Sequence, residues 1–346
     1  MSKKLFLSNS QINTYTDCAR KWYLDKQKRL RPNWKGSALI FGSALDAAVE
    51  SILLKSEIPA EIVFAGALRA FEVNGVEKHL PEDLLDVRFF AGDVDVSLFE
   101  AKDLDKVGAF CDGIEIDMPE LDEFLLFCKQ QRKSKTALTK TEQKLFNFLA
   151  YRTMQIKGLM MLEKLREWIE ENVAEVHEVQ KKISIENENG DQFIGFLDFI
   201  VTMKTDCETC DGDGLIDMEV GVMDICPDCT PKRVLIDLKT SSNTNAYYPS
   251  DSAAESRQLG IYSQEEAIPD VAYLVADKKI RKREPRVRLA FIEGVITEEH
   301  LDDVFEEIEE VTGEIKEKLE LGEGAFEKNL DSCMKFGGCQ YFNFCK

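Results

Sequence analysis

Apolar residues change their spacing once along this chain, and the change divides it. Up to Asn172 they mostly recur at helical intervals; from Val173 they fall in short alternating runs. In the first part, Ser8-Asn9-Ser10-Gln11 supplies capping side chains for a helix through Tyr15 to about Leu24. A second amphipathic stretch covers Ala38 to Lys55. The helical pattern is interrupted near Gly92-Asp93 and Gly113, and Ser134 to Thr141 is polar. In the second part, Val176 to Ile185 and Phe193 to Thr202 read as strands joined by a turn at Glu186 to Asp191. An insertion follows, then a short strand at Val234 to Leu238 and a helix from about Ala253 to Glu266. Strands at Val271 to Ala276 and Arg286 to Ile292 precede a long acidic helix, Thr297 to Leu321. This order predicts an α/β core with a helical subdomain attached. The expected divisions are 1–172, 173–322 with an insertion at 203–232, and a terminal segment at 323–346.

Three charged residues interrupt the apolar strands. Asp198 lies inside Gly195-Phe196-Leu197-Asp198, and Asp237 and Lys239 lie in Val234-Leu235-Ile236-Asp237-Leu238-Lys239. Residues two apart in a strand share a face, so Asp237 and Lys239 point the same way. A buried acid needs a partner, and a divalent cation shared by Asp198 and Asp237 would supply one. Magnesium or manganese takes such oxygens and keeps waters. That chemistry suits hydrolysis of a phosphodiester, with Lys239 beside the reacting phosphate. An Asp-x-Lys taken alone is more often a salt bridge at a strand end. Here Thr240 and Ser241 follow, and a helix then carries Gln258 and Tyr262, four apart and on one face.

Gly-x-x-Asp, then Asp-x-Lys-Thr, then Gln-x-x-x-Tyr resembles the motif order of RecB-like PD-(D/E)XK nucleases. The resemblance runs from about Leu7 to Lys346, apart from the insertion. It implies a restriction-endonuclease-like core in which Asp198 and Asp237 bind metal and Lys239 is catalytic. Gln258 and Tyr262 would support the site or touch DNA. The family usually carries Gly-x-x-x-His upstream; this chain has Gly42-Ser43-Ala44-Leu45-Asp46, so Asp46 is the candidate oxygen ligand there. A polar residue on an exposed helix face is the alternative for Asp46. None of His79, His177 and His300 falls in a metal or triad pattern.

Seven of the ten cysteines are clustered, which in a chain lacking a signal peptide points to metal rather than disulfides. Cys207-x2-Cys210 and Cys226-x2-Cys229, with fifteen residues between the pairs, form a zinc pattern inside the insertion. The stretch from Cys207 to Gly214 also resembles half of a J-protein zinc repeat; the second pair lacks the glycines, so only zinc binding carries over. The other group is Cys333-x5-Cys339-x5-Cys345, for which Cys18 is the candidate fourth ligand. This layout is similar to the iron–sulfur subset of the family, the AddB nucleases, the CRISPR-adaptation nucleases and their phage relatives. The similarity implies a 4Fe-4S cluster on Cys18, Cys333, Cys339 and Cys345; zinc stays open because the spacing is wider than the common form. Cys111 and Cys128 read as packing residues.

The net charge of −20 argues against a protein that coats nucleic acid, since phosphate contacts need Lys and Arg. It leaves room for local basic tracks at Lys278 to Arg288 and Arg20 to Lys35. No apolar run is long enough to cross a membrane. The function expected is a metal-dependent DNA exonuclease acting on single strands or DNA ends, in recombination, repair or phage DNA metabolism. The alternative is an inactive DNA-binding or scaffold protein on the same fold. No Gly-x4-Gly-Lys phosphate loop is present, so unwinding would fall to a helicase or recombination partner. The expected location is the cytoplasm of a prokaryote or phage-infected cell.

Overall fold

Strands rich in Val, Ile and Leu bury best where both faces are covered, and the runs at 234–238 and 271–276 lie buried inside the sheet. The computed structural model describes residues 4–30, 37–73, 76–79, 140–210, 215–219, 222–226, 229, 231–241, 243–278, 287–337, 339 and 341–345. Two compact units emerge, one of residues 1–35, 167–277 and 289–346, the other of 36–166 and 278–288.

The first unit is a mixed α/β fold. It holds β1 (Phe6–Leu7), α1 (Asn9–Asp17) and α2 (Ala19–Lys26) from the N-terminal region. The second contributes α3 (Ser37–Leu53), α4 (Ala60–Arg69) and the hairpin β2 (Ala70–Val73) and β3 (Val76–His79). A long helix, α5 (Lys140–Asn172), leads into β4 (Val173–Glu186) and β5 (Gln192–Met203). After them come β6 (Leu215–Glu219), β7 (Val222–Ile225), β8 (Arg233–Ser241), α6 (Arg257–Glu266), β9 (Asp270–Asp277), β10 (Leu289–Val295) and α7 (Glu298–Leu321). Six strands form one sheet in the order β1-β5-β8-β9-β10, with β4 also on β5; β6 and β7 pair separately. Strand β8 runs parallel to β9 through the crossover helix α6, while β4, β5, β8 and β9, β10 meet antiparallel.

One edge of β5 is shared. Parallel β1 takes Gln192 and Phe193. Antiparallel β8 takes Phe199 to Thr202 and then leaves, continuing along β9 as far as Ser241. The sheet therefore forks beyond the Phe199–Ile236 pair. On the other edge, Gln180 of β4 adopts a left-handed backbone (φ 50), and the pairing skips from Leu197–Lys181 to Phe199–Val179.

Several elements differ from the sequence expectation. The N-terminal helix is broken in two by extended backbone at Cys18. The crossover helix starts at Arg257 rather than Ala253, because Ser256 caps it by accepting from Leu259 N at 3.1 Å. Part of the stretch expected to be helical is the β2–β3 hairpin. Residues 80–139, including Cys111 and Cys128, lie outside the described residues. Among the described residues, no helix is long and apolar enough to cross a membrane.

In the second unit, Phe41 of α3 meets Phe64 of α4 edge-on at 5.8 Å. Phe64 also lies on Gly158 of α5, where an added Cβ would stand 1.9 Å from its ring. In the first unit, α6 and α7 cover the sheet with Leu259, Ile261, Tyr262, Val304 and Ile308. A smaller cluster sets Leu7, Tyr15, Trp22, Ile315 and Phe326 together, joining the N-terminal segment to α7 and the chain beyond it.

Two-residue β1 is too short to hold itself, and Asp191 holds it. Its Oδ1 accepts Leu5 N at 3.0 Å, and its Oδ2 pairs with Lys316 of α7 at 2.6 Å. Burial raises the Asp191 carboxyl pKa, but the Lys316 ammonium and the Leu5 N–H outweigh it and hold the group below its usual range. Its stabilisation is therefore present above the unfolded carboxyl pKa and is lost as pH falls through the lower folded value. Asp191→Ala should cost about 3 kcal/mol at neutral pH. The gap to wild type should persist to about pH 5 and narrow below about pH 4. Urea unfolding of both proteins across that range checks this; a gap independent of pH would contradict it.

Candidate functional site

Where β5 and β8 part, backbone groups lose their ladder partners and must be satisfied otherwise. Asp198 meets that need: its Oδ2 accepts Leu238 N at 2.7 Å. Its Oδ1 faces the amide of Gln180 at 3.4 Å, from the irregular point of β4. Asp237 follows the fork on β8, almost wholly buried, and Lys239 is two residues further.

The Lys239 ammonium forms an ion pair with Asp237 Oδ2. That oxygen is closed from water, and the ammonium is the partner that opposes its charge. Burial works against the charge on Lys239, but the carboxylates of Asp237 and Asp198 prevail and raise its pKa above the ordinary lysine range. Asp198, Asp237 and Lys239 thus share one electrostatic site.

Helix α6 hangs over it. Ser256 is fixed from below by Tyr273, the neighbour of Asp237 on β9, through a 2.6 Å hydroxyl contact. Two residues on, Gln258 Nε2 donates to Asp237 Oδ1 at 2.8 Å and lies 3.2 Å from Tyr262 Oη. The Tyr262 ring needs the space left by Gly195, where a Cβ would come within 2.5 Å of the hydroxyl and 2.6 Å of the ring. Burial first, then the Asp237 charge, push the Tyr262 phenol up to about 12. The glycine and aspartate of Gly-x-x-Asp thus act separately, one seating Tyr262 and the other closing the fork.

Two carboxylates, one with a buried oxygen met by the Lys239 ammonium, make a hard oxygen donor set of the kind magnesium or manganese takes. These residues fit such an ion, and the flexible stem of Lys239 lets its ammonium yield that oxygen. Asp46 is half-buried on α3 and belongs to the second unit. His177 bonds Thr202 at 2.7 Å, and His300 abuts Gly260; neither contacts the acid–lysine group, and His79 lies on β3.

The four insertion cysteines form a second site. Cys207 and Cys226 sulfurs are 3.7 Å apart, those of Cys210 and Cys229 3.5 Å, and all four lie within 4.8 Å of one another. Four sulfurs about 2.3 Å from one tetrahedral ion stand about 3.8 Å from each other, so the set fits a single thiophilic metal. Burial raises the Cys207 thiol, but N–H bonds from Thr209 and Cys210 outweigh it and lower it to about 7. The knuckle rises from the closed end of the β5–β8 ladder, where Met203 N donates to Lys232 O at 2.9 Å. The paired stretch from Thr202–Arg233 to Phe199–Ile236 separates it from the fork.

The terminal cysteines also converge, more loosely. Phe326 stacks on Trp22 at 5.9 Å, and Tyr341 Oη donates to Asp25 at 2.9 Å, so the last segment lies on α2. Asn329 N donates to the Cys18 sulfur at 3.5 Å, and Cys339 N bonds Cys333 O at 2.8 Å. Burial, then the charges of Cys339, Cys18 and Cys345, raise the Cys333 thiol pKa, so Cys333 lies close enough to the other three to feel them. Among the described residues, only the insertion set is gathered within 4.8 Å.

Residues 7–96 match the family profile of the PD-(D/E)XK nuclease superfamily. That span holds Cys18, Gly42 and Asp46, while Asp198, Asp237 and Lys239 lie beyond it. Among solved structures, the chain is similar to the crystal structure of SSO0001, at 14% identity and a TM-score of 0.24, covering 56% of this chain and 85% of that one. No curated protein matches the chain.

Gly195→Ala tests the seat of Tyr262. The new methyl should displace the ring and destabilise the protein by about 1–3 kcal/mol. Chemical denaturation measures it, and an unchanged midpoint would contradict the close contact.

Proposed function

We propose that the chain is a metal-dependent deoxyribonuclease, acting as an exonuclease on single-stranded DNA or DNA ends. The observation that carries this reading is the meeting of Asp198, Asp237 and Lys239 at the fork. The superfamily match at residues 7–96 supports it independently of those residues. Asp198 and Asp237 would hold magnesium or manganese, and such an ion supplies Lewis acidity and an activated water for phosphodiester hydrolysis. Lys239 brings a permanent positive charge to the same site, suited to the charge that builds on a phosphate under attack. Gln258 fixes one oxygen of Asp237, and Tyr262 backs Gln258. Asp46 is assigned as a further oxygen ligand by motif order.

The insertion cysteines Cys207, Cys210, Cys226 and Cys229 hold zinc in this reading, in a knuckle that contacts DNA or a partner such as a helicase or recombination protein. The terminal four, Cys18, Cys333, Cys339 and Cys345, hold a 4Fe-4S cluster that fastens the last segment to α2. Their looser gathering supports the cluster over a single ion, because each thiolate of a cluster binds a different iron.

The decisive experiment is magnesium- or manganese-dependent release of nucleotides from labelled DNA, single-stranded and duplex, with either end blocked. Asp237→Asn retains the Gln258 hydrogen bond while removing the charge, and Lys239→Ala removes the ammonium. Each should lower the rate about 100-fold or more with secondary structure retained. Near-wild-type rates in either variant would overturn the assignment.

Metal analysis of anaerobically purified protein should find one zinc and about four irons per chain. Cys210→Ser should remove the zinc and spare the iron, and Cys345→Ser the reverse. Two zincs and no iron would refute the cluster.

A further inference from the structure

The hydrogen bonds above Asp237 continue into a chain whose direction is fixed at both ends, by a carboxylate that only accepts and a guanidinium that only donates. Arg257 Nε donates to Asn9 Oδ1 at 2.8 Å. Asn9 Nδ2 donates to Gln258 Oε1 at 3.3 Å, and Gln258 Nε2 donates to Asp237 Oδ1 at 2.8 Å. A carboxamide can be turned either way, and only its neighbours decide which end is the donor. Guanidinium has donors only, so Arg257 obliges Asn9 to present its oxygen to Arg257 and its amine to Gln258. Gln258 must then offer its oxygen to Asn9 and its amine to the carboxylate. Arg257 is itself clamped, by Glu307 of α7 and by Asn13 one turn along α1 from Asn9. Ser8 fixes the start of α1, accepting Gln11 N at 3.3 Å.

We infer that Asn9 and Arg257 are positioning residues that set the polarity of Gln258, keeping a donor against Asp237 Oδ1 and leaving Oδ2 for the cation. The inference rests on the reading of Asp237 as a metal ligand. Neither residue touches the reacting atoms in this scheme. Without them only the acceptor-only carboxylate of Asp237 would hold Gln258 amine-first, and the side chain would be free to swing away from it.

Asn9→Asp and Asn9→Ala separate this role from packing. Asn9→Asp keeps the size of the side chain and strengthens its bond to Arg257, yet places an acceptor against Gln258 Oε1. It should bind manganese about 10-fold or more weakly than wild type in the absence of DNA. Asn9→Ala, which leaves Gln258 free to choose, should lose less, although Asn9→Asp should be the more heat-stable of the two. An added negative charge acting through space would strengthen cation binding, so the expected sign is opposite to a general electrostatic effect. In a Gln258→Ala background Asn9→Asp should no longer bind manganese more weakly than Asn9→Ala. If Asn9→Asp binds manganese as well as or better than Asn9→Ala, the relay is overturned.

The side-chain amide resonance of Gln258 in metal-free protein gives a second reading. It should shift in Asp237→Asn and in Asn9→Asp, and an unmoved resonance in either would overturn the relay. If it shifts while manganese affinity ignores Asp237→Asn, the relay stands and the metal assignment fails.

Discussion

The bond between Asp198 and the Leu238 N–H is the interaction on which the candidate site depends. A sheet that forks strands backbone donors and acceptors in a region closed to water, and an unsatisfied buried donor costs about 1–3 kcal/mol. Asp198 answers one of them and in doing so is fixed at the point where β8 turns away. Beyond that point β8 keeps β9 as its partner but no longer has β5, which leaves room for Asp237 and Lys239 on a strand still held along its other edge. The charges concentrate where the ladder ends because the fork leaves backbone groups and space there to satisfy them.

The central strands and the acid–lysine group were legible because each rests on local pattern. An acid inside Phe196-Leu197-Asp198-Phe199 stands out whatever surrounds it, and Asp237 and Lys239 share a face by strand geometry alone. The two cysteine pairs were legible through their spacing, and the sulfurs do converge. Features set by tertiary contact were not. Two residues of β1 give no period to detect, and the break at Cys18 falls inside a sequence that otherwise suits one helix. The left-handed turn at Gln180 has no glycine or asparagine to announce it. Gly195 could have been read only with Tyr262 already in place against it. Asn9 showed itself as part of a capping sequence, while its bonds to residues some 249 positions away depend on the finished fold.

Helix α1 connects the features that the sequence separates most widely. Its first turn meets α6 through Asn9, its buried Ile12 joins the main core, and Tyr15 joins the smaller cluster with Trp22 and Phe326. At its end the chain opens at Cys18, where Asn329 and the terminal segment arrive. Nine residues thus carry contacts to the fork at one end and to the terminal thiols at the other. Stiffness of so short a helix comes from packing on both sides rather than from intrinsic propensity.

The pairing of β1 with Gln192 and Phe193 also has a consequence for the order of events during synthesis. Leu5, Leu7, Ile12, Tyr15 and Trp22 leave the ribosome long before β5, and longer still before Ile315 and Phe326. Contacts spanning such sequence separations form late because loop closure must come first. Until then this segment is an apolar stretch without its cover, open to wrong partners in a crowded cell. The β4–β5 hairpin, local and extensively paired, is suited to form early and wait. The hairpin is thus suited to form before β1 docks on it, and the segment from Leu5 to Trp22 to find its place late.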